Sequence, residues 1–148
     1  MSATLIQNKK AFFNYEITEK FTAGVELFGY EVKTLRSKQG SLDGAYIIVR
    51  GGEAYLVGSN IPAYQPKNAP KEYDSKRNRR LLLSKKEISY LSNAGDAQGL
   101  TIVPIELYNS GKFIKLSFGI GKGKKKFDKR EDIKKRESNR DIERTLKY

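Results

Sequence analysis

The chain has 148 residues, enough for one domain around a single core, and carries 29 Lys and Arg against 17 Asp and Glu, a formal charge of +12. That excess is larger than surface solubility requires and points to a polyanionic partner, while the absence of cysteine and histidine removes disulfides, thiolate chemistry and the commonest acid/base group and zinc ligand. No apolar run reaches the roughly 20 residues of a membrane span and no secretory leader is legible, so a soluble, cytoplasmic protein is expected.

In chain order, Lys9 and Lys10 form a solvated basic lead-in. Residues 13–21 then alternate, with Phe13, Tyr15, Ile17, Glu19 and Phe21 on one side and Asn14, Glu16, Thr18 and Lys20 on the other. This period of two predicts a half-buried strand in which Glu19 is the misfit. The chain continues through a bend at Gly24 and turns helical, with Val32 and Leu35 on one face and Gly40 placed as a stop. A helix this short is marginal in water, so its expected place is against one end of a sheet. Residues 45–50 and 53–57 flank Gly51-Gly52, the composition of a two-residue hairpin turn, with Tyr46 and Tyr55 at core or rim.

Residues 62–80 hold three prolines, two tyrosines and many basic side chains without periodicity. A loop of that length inside a domain tends to be functional. Ser84-Lys85-Lys86-Glu87 matches a capping box, with Leu83 and Ile88 spaced as a hydrophobic staple, so a helix is predicted from Lys85 to Gly95 or Gly99. Residues 100–108 and 113–120 form a second hairpin about residues 109–112. One strand shows Thr101, Val103, Ile105 and Leu107 on one side, and the other Ile114, Leu116, Phe118 and Ile120. Pro104 marks its strand as an edge or a bulge.

From Gly119 the composition changes. Gly119, Gly121 and Gly123 argue against a packed element, and the lysines around Phe127 require water or an anion. A barrel domain over 1–120 and a basic tail over 121–148 are therefore expected, the lysines neutralising phosphates and Phe127 offering a ring to a base. The pairs Glu131/Lys135, Asp132/Arg136 and Glu143/Lys147 suggest a nascent helix that folds once an anion neutralises its basic side. The fold class is mainly β: an OB-like antiparallel β-barrel with embedded short helices.

Two chemistries are weighed against this. The glycines and lysines of 119–126 lack the spacing and the hydroxyl of a phosphate-binding loop. Glu26, Glu31, Asp43 and Glu53 are scattered and read as solvated or helix-capping acids, leaving a magnesium-dependent nuclease only through Glu31 or Asp43. No cofactor or metal is expected.

Several motifs in order give a resemblance: Ala23-Gly24 with Gly29-x-Glu31-Val32-Lys33-Thr34-Leu35-Arg36, Leu42-x-Gly44-x-Tyr46, the run from Asp74 through Arg77 and Arg79-Arg80-Leu81-Leu82-Leu83, Gly99 to Pro104, and Gly123-Lys124-Lys125 with Asp128-Lys129-Arg130. Together they resemble the SmpB family, the small bacterial partner of transfer-messenger RNA, over nearly the whole chain. The resemblance implies an OB-like barrel with three helices, acting as a non-catalytic monomer. It would bind the tRNA-like domain of transfer-messenger RNA, stand in for the missing anticodon arm in the A site of stalled ribosomes, and send its tail into the vacant mRNA channel. It further implies RNA contacts near Asn8, Tyr15, Gly24, Leu82 and Ser84, phosphate contacts from Lys33, Arg79 and Arg80, and a ribosome-binding tail through Gly123, Lys124, Lys125, Phe127, Asp128, Lys129 and Arg130. The chain departs from many members at Phe13-Asn14, where they have a His-acid pair, at Thr22 (acid), at Ser75 (Pro) and at Ser84 (Asn). A general single-strand RNA-binding or ribosomal protein of OB type is the alternative, with an RNA-processing enzyme third.

Overall fold

Alternation of apolar and polar side chains builds one antiparallel sheet in the computed structural model, which describes residues 3–96 and 99–124. The strands are β1 (Ala3–Gln7), β2 (Tyr15–Val25), β3 (Tyr46–Arg50), β4 (Glu53–Val57), β5 (Arg79–Leu82), β6 (Leu100–Ser110) and β7 (Phe113–Gly123). The helices are α1 (Ala11–Asn14), α2 (Gly29–Arg36) and α3 (Lys85–Asp96), and the spatial order of the strands is β1-β6-β7-β2-β5-β4-β3. The core lies on the inner face, where Leu56, Leu81, Leu107, Leu116 and Phe118 are fully buried, with Leu35 of α2 and Leu91 of α3 packed onto it.

Closure differs from the expectation. β3 lies against β6, but no ladder joins them, so among the described residues the sheet curls without closing into a barrel. The outer edge of β6 is occupied by β1 only over residues 106–109.

The predicted hairpins are present. Gly51 and Gly52 take φ of 61° and 76° between the paired Arg50 and Glu53, the left-handed geometry such a turn needs. At the start of α3, Ser84 Oγ accepts from Glu87 N–H at 3.2 Å while Glu87 Oε1 accepts from Ser84 N–H at 3.3 Å, the reciprocal cap that the sequence announces. Helix α2 stops where Lys38 turns left-handed (φ 60°), two residues before Gly40, whose own φ is 115°.

Three single-residue bulges rephase the strands. In β6 the register shifts between Pro104 and Glu106, so Leu107 faces the core with Ile102 and not the side of Thr101 and Val103 as simple alternation predicted. Pro104 therefore marks a bulge, and its strand is internal, between β1 and β7. β1, absent from the sequence reading, bulges at Leu5, which buries Leu5 and Ile6 together. In β2 the extra residue is Thr18: Ile17 pairs with Gly121 and Glu19 with Ile120. That shift turns Tyr15 and Ile17 to the outer face and leaves Glu19 with Phe21 on the inner side, at its rim, where the Glu19 carboxylate accepts from the Tyr90 hydroxyl at 2.6 Å. The strand expected from Phe13 begins at Tyr15, because residues 11–14 form a helical turn.

Gly119 and Gly121 are packed, contrary to the sequence expectation, while Gly123 is exposed. Strand β7 runs to Gly123 and is paired to β2 from Lys115 to that end, so the ladder passes the predicted boundary at residue 120. A Cβ on Gly119 would lie 2.6 Å from both Glu19 O and Ile17 Cγ2, and one on Gly121 would lie 3.1 Å from Glu16 O and Tyr15 Cβ. Alternate glycines let the side chains of Tyr15 and Ile17 cross the neighbouring strand at close range.

Candidate nucleic-acid interface

The bulge at Thr18 decides what the outer face of β2 presents. Tyr15 and Gly24 are nine residues apart, an odd number that would set them on opposite faces, yet Tyr15 pairs with Gly123 and Gly24 with Lys115 on the same outer face. They stand roughly 25–30 Å apart along the strand. Lys20 and Thr22 lie between them on the exposed outer side of β2. Two of the predicted contact regions thus mark the ends of one surface.

At the Tyr15 end, a cleft of about 380 Å³ opens between α1 and the lead-in to β3, lined by Asn8, Lys10, Asn14, Tyr15, Asp43 and Tyr46 among others. Asn8 is fixed by the β6 bulge: its backbone N–H donates to Ile105 O at 2.7 Å and its Nδ2 to Pro104 O at 2.9 Å. Lys124 N–H donates to Asn14 O at 2.8 Å, which brings the start of the basic segment to the rim of this cleft. Nearby, Phe12 is 46% exposed with Lys20 Nζ 5.1 Å from its ring centroid, an aromatic and cation platform that the sequence reading did not single out.

At the Gly24 end, Leu82 is 50% exposed and lies across Gly24, where a Cβ would meet Leu82 Cδ1 at 3.3 Å. Ser84 follows, exposed, with its hydroxyl already engaged in the helix cap. Lys33 is exposed on α2. Gly123 ends β7, and Lys125, Phe127, Asp128, Lys129 and Arg130, together with the nascent helix, lie outside the described residues.

Arg79 and Arg80 cannot share the role assigned to both, because neighbours in a strand point to opposite faces. Arg80 faces outward, its Nε donating to Glu53 Oε2 at 2.8 Å and its Nη1 to Glu26 Oε1 at 3.2 Å. Arg79 faces inward and is fully buried, so it is not a phosphate contact. Its guanidinium donates to Glu31 Oε2, Ser59 Oγ, Ser75 O and Arg77 O, which uses its donors within the protein.

Glu31 is the centre of that buried cluster, neither solvated nor free to hold a metal. Its carboxylate accepts from Phe28 N–H at 2.7 Å, Arg77 Nη2 at 2.5 Å, Arg79 Nη2 at 2.7 Å and Tyr73 O–H at 2.8 Å. Burial on its own would raise the Glu31 carboxyl, but the hydrogen bonds of Arg77, Phe28 and Tyr73 and the charge of Arg79 outweigh it and hold the group below the usual glutamate range. The Tyr73 hydroxyl, through burial and then its bond to Glu31, is pushed up to about 12. Arg77 also covers the exposed Phe28 ring at 4.3 Å from its centroid. The loop read as unstructured is thereby tied to α2 through one carboxylate. Among the described residues, no three acidic, histidine or cysteine side chains gather as a metal site, and no helix is long and apolar enough to cross a membrane.

The family model described as SmpB protein matches residues 5–148. The chain is 48% identical to an SsrA-binding protein of Thermosipho africanus, over 95% of this chain and 94% of that protein. It is 47% identical to one of Mesoplasma florum, over 95% of each, and 43% identical to one of Microcystis aeruginosa, over 97% and 93%. A solved chain described under "tmRNA-SmpB: a journey to the center of the bacterial ribosome" superposes with a TM-score of 0.70 at 34% identity, covering 88% of this chain and 95% of that one. The motifs, the antiparallel sheet with its short helices and these likenesses agree: the chain belongs to the SmpB family.

Proposed function

We propose that this chain is a non-catalytic RNA-binding adaptor of trans-translation in the cytoplasm. It binds the tRNA-like domain of transfer-messenger RNA across the outer face of β2, β5 and β7 and carries it to the A site of stalled ribosomes, where it takes the place of the missing anticodon arm. Residues from 125 onward enter the vacant mRNA channel, with Lys124, Lys125, Lys129 and Arg130 meeting phosphates and Phe127 stacking on a base. The carrying observation is the family membership over nearly the full length, together with relatives named SsrA-binding and a structural neighbour described on the bacterial ribosome. The charge of +12 and the single outer surface ending in Tyr15 and Leu82 support recognition by phosphate contact and shape.

A filter-binding competition at fixed salt tests the reading. The tRNA-like fragment should compete at least about tenfold better than unstructured RNA of equal length, and equal competition would leave only a general single-strand binder. To separate the two parts, the chain should be cut after Lys124 and not after Ile120, because residues 121–123 belong to the β2–β7 ladder. The shortened protein is expected to bind the fragment and fail in ribosome rescue.

A further inference from the structure

The cleft beside Tyr15 contains a group that is out of place on a surface built for phosphates. Asp43 carries a carboxylate on a chain of net charge +12, at the rim of the outer face, with no side-chain partner among the described residues. Ser41 Oγ accepts from Asp43 N–H at 3.1 Å, a local turn that sets the residue's position; of the described acids whose carboxylates also lack a partner, Glu16 and Glu72, neither lines this cleft. Around Asp43 the Asn14 amide, the Tyr15 and Tyr46 hydroxyls and the Lys10 ammonium are likewise without partners, and Asn8 has its amide nitrogen committed to Pro104 O and its Oδ1 open.

A carboxylate accepts hydrogen bonds and donates none, so facing RNA it is repelled by phosphate and favoured only by a pair of donors. Among the four bases, guanine alone offers two adjacent donors, N1–H and the N2 amino group, on its Watson–Crick edge. RNA recognition by base identity uses unstacked bases held against aromatic rings with that edge exposed. We infer that this cleft takes one unstacked guanine of the bound RNA, with Asp43 accepting from N1–H and N2–H, Asn14 donating to O6, a ring of Tyr15 or Tyr46 against the base, and Lys10 on the flanking phosphate. At about 380 Å³ the cleft holds a base and its ribose. The inference rests on the proposed RNA partner and adds to shape recognition one point of base selection.

The test titrates the full chain with each of the four 5′-nucleoside monophosphates and follows the Asn14 side-chain amide and the Gly44 backbone amide by NMR. GMP should bind about tenfold or more tightly than AMP, CMP or UMP, and Asp43→Asn should erase that preference. Equal binding of the four, a preference that survives Asp43→Asn, or methylguanidinium binding at the cleft as tightly as GMP would each overturn the inference, the last by marking an arginine site. Binding of the tRNA-like fragment is measured in parallel. If wild type binds the fragment and Asp43→Asn binds it equally, the guanine site fails while the RNA partner stands; if wild type does not prefer the fragment, the partner fails whatever the nucleotides do.

Discussion

The Arg79 guanidinium meets a single oxygen of Glu31 twice, Nε at 2.9 Å and Nη2 at 2.7 Å, with neither side chain exposed to solvent. Removing Arg79 takes one of two cations from a fully buried carboxylate and leaves Arg77 as the other, so Arg79→Ala should cost about 3 kcal/mol, the lower end for a broken buried pair, in chemical denaturation. At a temperature where the variant remains folded, its affinity for the tRNA-like RNA should equal that of the wild type. A variant that keeps its stability and loses RNA binding would return Arg79 to the interface.

The same cluster predicts two limbs of a pH–stability curve. Glu31 stays ionised in the folded chain at pH values where an unfolded glutamate takes up a proton, so the unfolded state binds more protons there and stability rises with pH across that window. This contribution is complete above the ordinary glutamate value and is lost as the pH falls through the lowered value of Glu31. Tyr73 has the opposite sign: its folded value of about 12 lies above the usual 10, so its contribution is intact below pH 10 and disappears as the pH rises towards 12. Urea midpoints across both ranges should show the alkaline loss reduced in Tyr73→Phe, with the raised Tyr90 hydroxyl keeping part of it, and the acid loss reduced in Glu31→Gln.

Gly119→Ala and Gly123→Ala should separate sharply. The first places a Cβ 2.6 Å from the Glu19 carbonyl oxygen, a backbone atom held in the ladder, and is expected to destabilise by about 1–3 kcal/mol. The second meets nothing within 4 Å and should be close to neutral. Thermal denaturation of the two variants decides whether these glycines serve the sheet or only the tail.

Leu81 and Leu82 offer a parallel contrast. Leu81 is fully buried, and its replacement by Ala should cost about 2–5 kcal/mol. Leu82→Ala, at a position 50% exposed, should leave the denaturation midpoint nearly unchanged and weaken binding of the tRNA-like fragment. Equal fragment binding by wild type and Leu82→Ala would remove Leu82 from the interface.

Sequence patterning reveals the elements better than their phase. The hairpin at Gly51-Gly52 and the cap at Ser84 are legible because local chemistry alone requires them. Bulges at Leu5, Thr18 and Ile105 are not, since a single extra residue leaves composition untouched while reversing every later side chain. The misfit Glu19 gives no sign of the bulge at Thr18, because it stays beside Phe21 while Tyr15 and Ile17 turn outward. Arg79 was misplaced because a run of arginines reads as a phosphate surface until alternation along β5 is applied, which turns one inward to meet Glu31. The cleft at Asp43 escapes sequence reading for another reason: its walls come from three separate stretches of chain, 8–15, 43–46 and 101–103, that only the fold assembles.

The spare residue at Thr18 also limits how the protein can change. Inserting or deleting one amino acid between Tyr15 and Gly24 would invert half of the ribbon and separate the two ends of the landing strip, although Tyr15 and Gly24 themselves would be unchanged. Length in this segment is therefore under tighter constraint than identity, and tolerated indels should come in twos.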